Sequence, residues 1–492
     1  MRRTKIVATI GPSSSEEGVL LAMIDAGMDV ARLNFSHGTH AGHERNFRSI
    51  RRLSAKTGKP IGIIGDLQGP KMRTGELAGP PLELRRGGAL VITTRKIKGV
   101  RGKVSTTYGR LHRDVKAGDR ILIRDGSIEV KVVRIEARDV HCRVISGGTL
   151  EAHSGINLPG VEISEPSLTR KDKEDVRFAA GLGVDYLALS FVRRPDDVSR
   201  LKRFLKKLGV DIPVIAKIEK PEAVSNIDDI ISVSGGVMIA RGDLGVEMPA
   251  EKVPQIQKDI ILRSIKAGKL VITATQMLES MITQTTPTRA EASDVVNAIY
   301  DGTSAVMLSG ETAVGHNPVR TVMTMARIAR EADGYMAENT VERQKRFSRR
   351  FGTAGSSSFE EAIGMAVQTT AAYLGIPLIV CFTSSGFTAQ QVSSSRPEAS
   401  IIGATHHDRM LPRMSLYWGV QPIRTPEAET MDAMIENVER ELLRRRMVRK
   451  GESIIITAGY PLGVSGTTNM MQLVRVGGQN KPTGPKRGKR GL

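Results

Sequence analysis

Eight short apolar runs, rich in β-branched residues and followed by segments of helical spacing, most narrowly limit what this chain can fold into. They are Thr4–Ile10, Met28–Phe35, Pro60–Asp66, Val184–Ser190, Val214–Ile218, Gly236–Arg241, Leu270–Ala274 and Thr303–Ser309. Ser15–Ala26, Thr39–Thr57, Pro249–Ala267 and Thr288–Ala298 are among the helical segments. Short unbroken apolar runs suit strands buried on both faces, and parallel strands need such crossovers. Eight βα units in about 250 residues, apart from one insert, predict a closed β/α barrel.

The insert lies between the third and fourth runs. From 69 to 158 the helical period disappears, and Ala89–Thr93, Arg120–Arg124, Glu129–Ile135 and His141–Ile145 alternate with Gly- and Asp-containing turns. That pattern predicts a small all-β domain. After a polar, then Gly/Ser-rich stretch, Ile376–Thr383, Ala399–Gly403, Val420–Ile423 and Ser453–Thr457 alternate with Phe359–Leu374 and Glu427–Arg446. This predicts an open doubly wound α/β domain, with Met470–Val476 pairing at an edge. The expected division is a barrel over 1–68 and 159–335, an insert over 69–158, a linker over 336–358, an α/β domain over 359–476 and a basic tail over 477–492.

The net charge is +20, and the last sixteen residues supply five Lys/Arg and no acid. The tail reads as disordered, and the folded body is basic too. Such a balance suits nucleic acid or an anionic small substrate. No apolar run approaches 18 residues, so no membrane span is expected. The apolar core of the opening MRRTKIVATIGP is too short for a secretory leader. Cys142 and Cys381 lie far apart, which suggests a reducing compartment without a disulfide framework.

Polar residues gather where the runs end. Arg32, Asn34 and Ser36 stand at and just after the end of the second run, Asp66 at the end of the third and Ser190 at the end of the fourth. Lys217 and Glu219 close the fifth, Arg241 and Asp243 the sixth. Thr275 follows the seventh, and Ser309 and Glu311 the eighth. Residues two apart on a strand share a face, so Lys217 should point with Glu219 and Arg241 with Asp243. Two carboxylates can hold a divalent metal whose other ligands are water and substrate oxygens. A lysine beside it can neutralise charge on a transferring group. Scattered structural salt bridges would not crowd the carboxyl ends of barrel strands.

KIVATIGPS (Lys5–Ser13), ARLNFSHGTH (Ala31–His40), GDLQGPKMRTG (Gly65–Gly75), ARGDLGVEMP (Ala240–Pro249), ATQMLESM (Ala274–Met281), PTRAEA (Pro287–Ala292) and LSGET (Leu308–Thr312) resemble the pyruvate kinase family, in its order, over roughly 1–475. The resemblance implies a TIM barrel, an inserted β-barrel lid and a C-terminal effector domain. The activity implied is transfer of the phosphoryl group of phosphoenolpyruvate to ADP, giving pyruvate and ATP. By similarity Glu219 and Asp243 bind Mg²⁺, or Mn²⁺. Lys217, Arg32 and Thr275 take the catalytic positions, and Gly242 and Asp243 join them around the substrate. Glycine there would let backbone N–H groups approach an anion. Asn34, Phe35, Ser36, His37, Arg73 and Lys171 match the nucleotide contacts. A homotetramer in the cytoplasm is implied, with no membrane or nucleic-acid partner.

Familiar members of the family need K⁺, held at positions that here are Asn34, Ser36, Asp66 and the backbone oxygen of Leu67. They carry Glu where this chain has Lys71, and Thr-Lys where it has Leu67-Gln68. Leu67, Gln68 and Lys71 resemble the potassium-independent branch, with the Lys71 ammonium in place of the ion. A second cation at roughly 4 Å would cost about 4 kcal/mol at an effective dielectric near 20. In the last domain Thr383, Ser384, Ser385, Gly386 and Thr388 lead from a strand into a helix and resemble the effector-phosphate loop. No G-x-x-x-x-G-K-[ST] occurs, which excludes a P-loop. Two other readings draw on the same residues. A nucleic-acid-binding protein on a retired enzyme scaffold would explain the charge, but no nucleic-acid module appears and aromatics are only 4%. A Mg-dependent lyase that stabilises an enolate would need neither Arg73, Lys171 nor the lid.

Overall fold

The computed structural model describes residues 2–338, 359–461, 466 and 468–478. The chain packs as two compact units, Ile6–Asp333 and Gly334–Leu492, and the second also takes Met1–Lys5.

Eight parallel strands close the barrel of the first unit. They are β1 (Lys5–Thr9), β2 (Val30–Asn34), β3 (Gly62–Asp66), β4 (Tyr186–Leu189), β5 (Val214–Ile218), β6 (Gly236–Ala240), β7 (Leu270–Ala274) and β8 (Ala305–Leu308). Each pairs with its neighbours in sequence, and β8 returns to β1. Every residue of β3 to β8 is buried, because the barrel interior covers one face and the helices the other. Strong N-caps place the surrounding helices. The Thr169 and Thr288 hydroxyls each accept the N–H three residues on, while Asp172 and Glu291 reach back to the cap.

The insert leaves after β3 and returns before β4, with its own apolar core. Its sheet runs Met72–Arg73, Gly155–Asn157, Arg120–Ile123, Ile128–Glu136, Asp139–Ser146, Ala89–Thr93, Lys103–Ser105. A Thr74–Thr106 bridge joins the two ends, so the sheet curls into a small barrel. Val140, Cys142 and Val144 point inward with the period of two that a half-exposed strand requires.

The second unit holds β9 (Leu378–Phe382), β10 (Ser400–Thr405), β11 (Val420–Arg424), β12 (Ser453–Ala458) and β13 (Met470–Arg475), in the order β11-β10-β9-β12-β13. The first four are parallel; β13 is antiparallel at the edge. The strand order reverses between β9 and β12, where open α/β sheets place ligand clefts. The start of the chain is tied in here. Lys5 Nζ donates to Val420 O at 2.7 Å, Gly419 N–H to Arg3 O at 2.9 Å, and the Arg3 guanidinium lies 5.5 Å from the Trp418 ring centre.

Residues 336–338 of the expected linker finish the helix Pro318–Glu338. The rest of that linker, and the tail beyond 478, lie outside the described residues. No helix of the described residues is long and apolar enough to cross a membrane.

Candidate active site

Strand ends from around the barrel bring four ionised side chains together below the surface. Arg32 on β2 donates from Nε to Asp66 Oδ2 at 2.6 Å and from Nη1 to Thr9 Oγ1 at 3.0 Å. Lys217 on β5 donates to Ser190 Oγ at 2.7 Å. It lies 2.8 Å from Glu219 Oε1 and 3.5 Å from Asp66 Oδ1. The expected shared face of Lys217 and Glu219 is therefore realised. Asp66 and Glu219 are each 1% exposed, Arg32 8% and Lys217 9%. Charges removed from water to this degree persist only when paired and hydrogen-bonded.

The ionisation follows from the arrangement. Burial alone would lower the pKa of Lys217, but the Asp66 and Glu219 carboxylates overcome it and hold the ammonium above its ordinary value. Burial works against Asp66 as well, yet Lys217 and Arg32 keep its carboxyl below the usual range. At Glu219 burial prevails and raises the pKa, with the negative charge of Asp243 adding to it. A neighbouring carboxylate that raises the proton affinity of Glu219 also makes the pair suit a hard divalent cation, which relieves the repulsion.

Arg241 and Asp243 correct the strand-face expectation. β6 ends at Ala240, and Arg241–Glu247 is a short helix, so a period of two does not apply. Arg241 turns away to Asp294 at 2.7 Å and to the carbonyl of Thr275 at 2.9 Å. The Gly242 N–H and the Thr275 hydroxyl, both candidates for the substrate carboxylate, lie together. That N–H donates to Thr275 Oγ1 at 2.7 Å. Thr275 and Gln276 stand at φ +66° and +52°, a strained conformation for side-chain-bearing residues. The bonds from Arg241 and Gly242 brace that turn.

The end of β2 and the loop after it carry four of the nucleotide candidates, Asn34, Phe35, Ser36 and His37. Asn34 Oδ1 accepts the Ser36 N–H at 3.1 Å, and Lys171 Nζ donates to Phe35 O at 2.8 Å while pairing with buried Asp175 at 2.7 Å. Burial first, then the charges of Lys71, Arg73 and Arg32, lower the pKa of His37. This loop therefore sits in a positive field. Arg73 reaches His153 O at 3.0 Å, and Lys71 is exposed. Leu67 O accepts the Ser190 hydroxyl at 2.7 Å. Glu311 is fully buried and accepts the Ser309 and Leu278 N–H groups, which gives it a structural task.

Sequence reasoning gave no role to Thr9, Ser190 or Phe191. The Phe191 N–H donates to Glu219 Oε2 at 2.7 Å from a backbone at φ +54°. A backbone donor leaves no trace in residue type; only the position of Ser190 at a strand end hinted at its part.

In the second unit Thr383–Thr388 leads from β9 into the helix Phe387–Ser394. Gly386 stands at φ +84° and donates its N–H to Thr383 Oγ1 at 2.8 Å. A Cβ there would come within 2.8 Å of Met410 and Tyr417, so the turn requires glycine. The loop lines a cavity of about 800 Å³, with Thr405, His406, Glu427 and Glu429 among the other walls.

Replacing Asp66 tests the lattice. Asp66→Asn leaves Lys217 and Arg32 short of an anion and should cost about 3–5 kcal/mol of stability at neutral pH. Its folded pKa lies below the unfolded one. The contribution is thus complete above about pH 4 and is lost as pH falls through the folded value. Urea unfolding of parent and variant should differ most at pH 7 and converge in acid.

Residues 1–322 match the family model of the pyruvate kinase barrel domain, and 361–474 that of the pyruvate kinase alpha/beta domain. The pyruvate kinases of Staphylococcus aureus strains MRSA252 and USA300 are each 44% identical over 479 residues, which spans 97% of this chain and 81% of theirs. The crystal structure of a pyruvate kinase from Cryptosporidium parvum superposes with a TM-score of 0.89 at 36% identity, covering 96% of both chains. With its barrel, insert, α/β domain and buried charge lattice, the chain belongs to the pyruvate kinase family.

Proposed function

We propose that the Arg32–Asp66–Lys217–Glu219 lattice is where this chain moves the phosphoryl group of phosphoenolpyruvate to ADP, giving pyruvate and ATP. The observation that carries this reading is the buried Lys217 ammonium, held protonated between two carboxylates at the carboxyl end of the barrel. Phosphoryl transfer spreads charge over the oxygens of the moving group, so catalysis is mostly positioning and charge stabilisation. Arg32 and Lys217 supply two fixed positive charges. Asp66, Thr9 and Ser190 hold them in place, so little reorganisation is needed as the charge moves.

Thr275, Gly242 and Asp243 position the substrate carboxylate. Glu219 and Asp243 fit Mg²⁺, or Mn²⁺, as hard oxygen donors whose mutual repulsion a divalent ion relieves. When bound, that ion supplies charge neutralisation on the phosphoryl oxygens. Asn34, Phe35, Ser36, His37, Arg73 and Lys171 hold the nucleotide, in keeping with the positive field at His37. The inserted barrel acts as a lid that keeps water from the phosphoryl group. We assign the work to the cytoplasm and to a homotetramer. Supporting surfaces are Phe359 and Tyr373, 84% and 87% exposed on one helix, and the outer edge strand β13.

A coupled assay of ATP formed from phosphoenolpyruvate and ADP tests the activity. Lys217→Met should lower kcat by about 10²–10³ while moving the KM for phosphoenolpyruvate far less. A pure KM effect would make Lys217 a ground-state binder.

Lys71 supports potassium independence, since its charge acts on the loop that holds Asn34 and Ser36. Full activity is expected with Mg²⁺ and a bulky organic cation alone. Lys71→Glu should depress that activity and make it respond to K⁺. Many-fold K⁺ stimulation of the parent would return the ion to Asn34, Ser36, Asp66 and Leu67.

The Thr383–Thr388 loop and its cavity are assigned to a phosphorylated effector. Ser385→Asp should abolish the response to sugar phosphates and nucleoside monophosphates and leave basal turnover unchanged. If no such compound alters the substrate curve of the parent, the loop is a structural turn.

A further inference from the structure

One buried ion pair beside the lattice has no part in the chemistry above. Lys220 Nζ donates to Glu247 Oε1 at 2.7 Å, and the two side chains are 4% and 1% exposed. Neither residue stands at a random place. Lys220 is bonded directly to Glu219. Glu247 closes the helix Arg241–Glu247, one turn after Asp243, so residues 243 and 247 lie on the same helical face. The pair therefore ties the segment that presents Glu219 to the helix that presents Asp243. Asn157, from the inserted barrel, donates to the same Glu247 Oε1 at 3.2 Å, whereas Oε2 is buried without a hydrogen bond.

Burying a full ion pair costs desolvation free energy, and apolar residues of similar size often do as well or better. Stability alone is thus a poor reason for this pair. A charged pair does fix a separation. Glu219 and Asp243 repel each other, and the bonds that hold the Glu219 carboxylate, from Lys217 and the Phe191 N–H, do not tie it to the helix that presents Asp243. We propose that Lys220 and Glu247 form a positioning clamp that sets the Glu219–Asp243 spacing and thereby the affinity for the divalent cation. The inference rests on the reading that Glu219 and Asp243 hold that cation. Neither Lys220 nor Glu247 touches substrate or metal in this account.

Electrostatics and positioning predict opposite signs, which makes the test sharp. Lys220 is a cation close to a cation site. If it acted only through its charge, removing it would tighten metal binding. If it acts as a clamp, removing it loosens binding, by about tenfold on the scale of residues that orient metal ligands. The measurement is Mn²⁺ binding without substrates, followed through the electron paramagnetic resonance of free Mn²⁺, on parent, Lys220→Met, Lys220→Gln and Glu219→Gln. Weaker binding in Lys220→Met, with a smaller loss in Lys220→Gln, is the expected result. The glutamine keeps a donor opposite the buried Glu247 carboxylate, so it also serves if the methionine variant does not fold. Unchanged or tighter Mn²⁺ binding in the Lys220 variants, with weakened binding in Glu219→Gln, overturns the clamp alone. Parent-like binding in Glu219→Gln overturns the metal assignment and the clamp with it.

Discussion

Keeping one ammonium charged inside a protein is the constraint on which this structure turns. Lys217 is almost wholly removed from water. Isolated there, it would lose its proton and with it any use as a fixed charge. The carboxylates of Asp66 and Glu219 prevent that, and they in turn need cations and N–H donors. Arg32 answers Asp66, the Phe191 N–H answers Glu219, and the Ser190 hydroxyl passes a bond from Lys217 to Leu67 O. Each group is stable because of the others, so the lattice should respond to substitution as a unit and not as a sum of pairs.

A barrel suits this demand. Arg32, Asp66, Ser190 and Lys217 come from four consecutive strands or their ends, and the closed hydrogen-bond ladder fixes their separations. Strain is placed beside the lattice and away from the ladder. Thr275, Gln276 and Phe191 take left-handed backbone conformations just past β7 and β4. Those turns hold their shape because Arg241, Gly242 and Glu219 bond to them.

The parts of this fold legible in the sequence were those that solvent exclusion writes into residue type. Val214–Ile218 and Leu270–Ala274 coincide with β5 and β7, since a strand covered on both faces must be apolar along its length. The meeting of Lys217 and Glu219 was legible for a related reason, because strand geometry fixes the face. The same rule failed for Arg241 and Asp243. The strand gives way to a helix one residue earlier than the charge pattern suggested, and Gly242 marks no obvious start. Backbone donors and positive φ at ordinary residues were invisible, as nothing in Phe191, Thr275 or Gln276 announces them. Nothing in the sequence pairs Lys220 with Glu247, which only the fold buries together.

The first residues of the chain belong to the α/β unit, and Lys5 and Val420 are separated by 415 positions. A ribosome adding about 5–20 residues per second delivers Val420 on the order of half a minute after Lys5 has emerged. The barrel can close in that interval, but the segment ahead of β1 must wait for its partner. The α/β unit is thus discontinuous in sequence. A fragment starting near residue 359 would lack the strap that meets Gly419 and Val420, and would leave the Gly419 N–H and the Val420 carbonyl without those bonds. Where this chain may be cut is decided at its first few residues as much as at the stretch between its units.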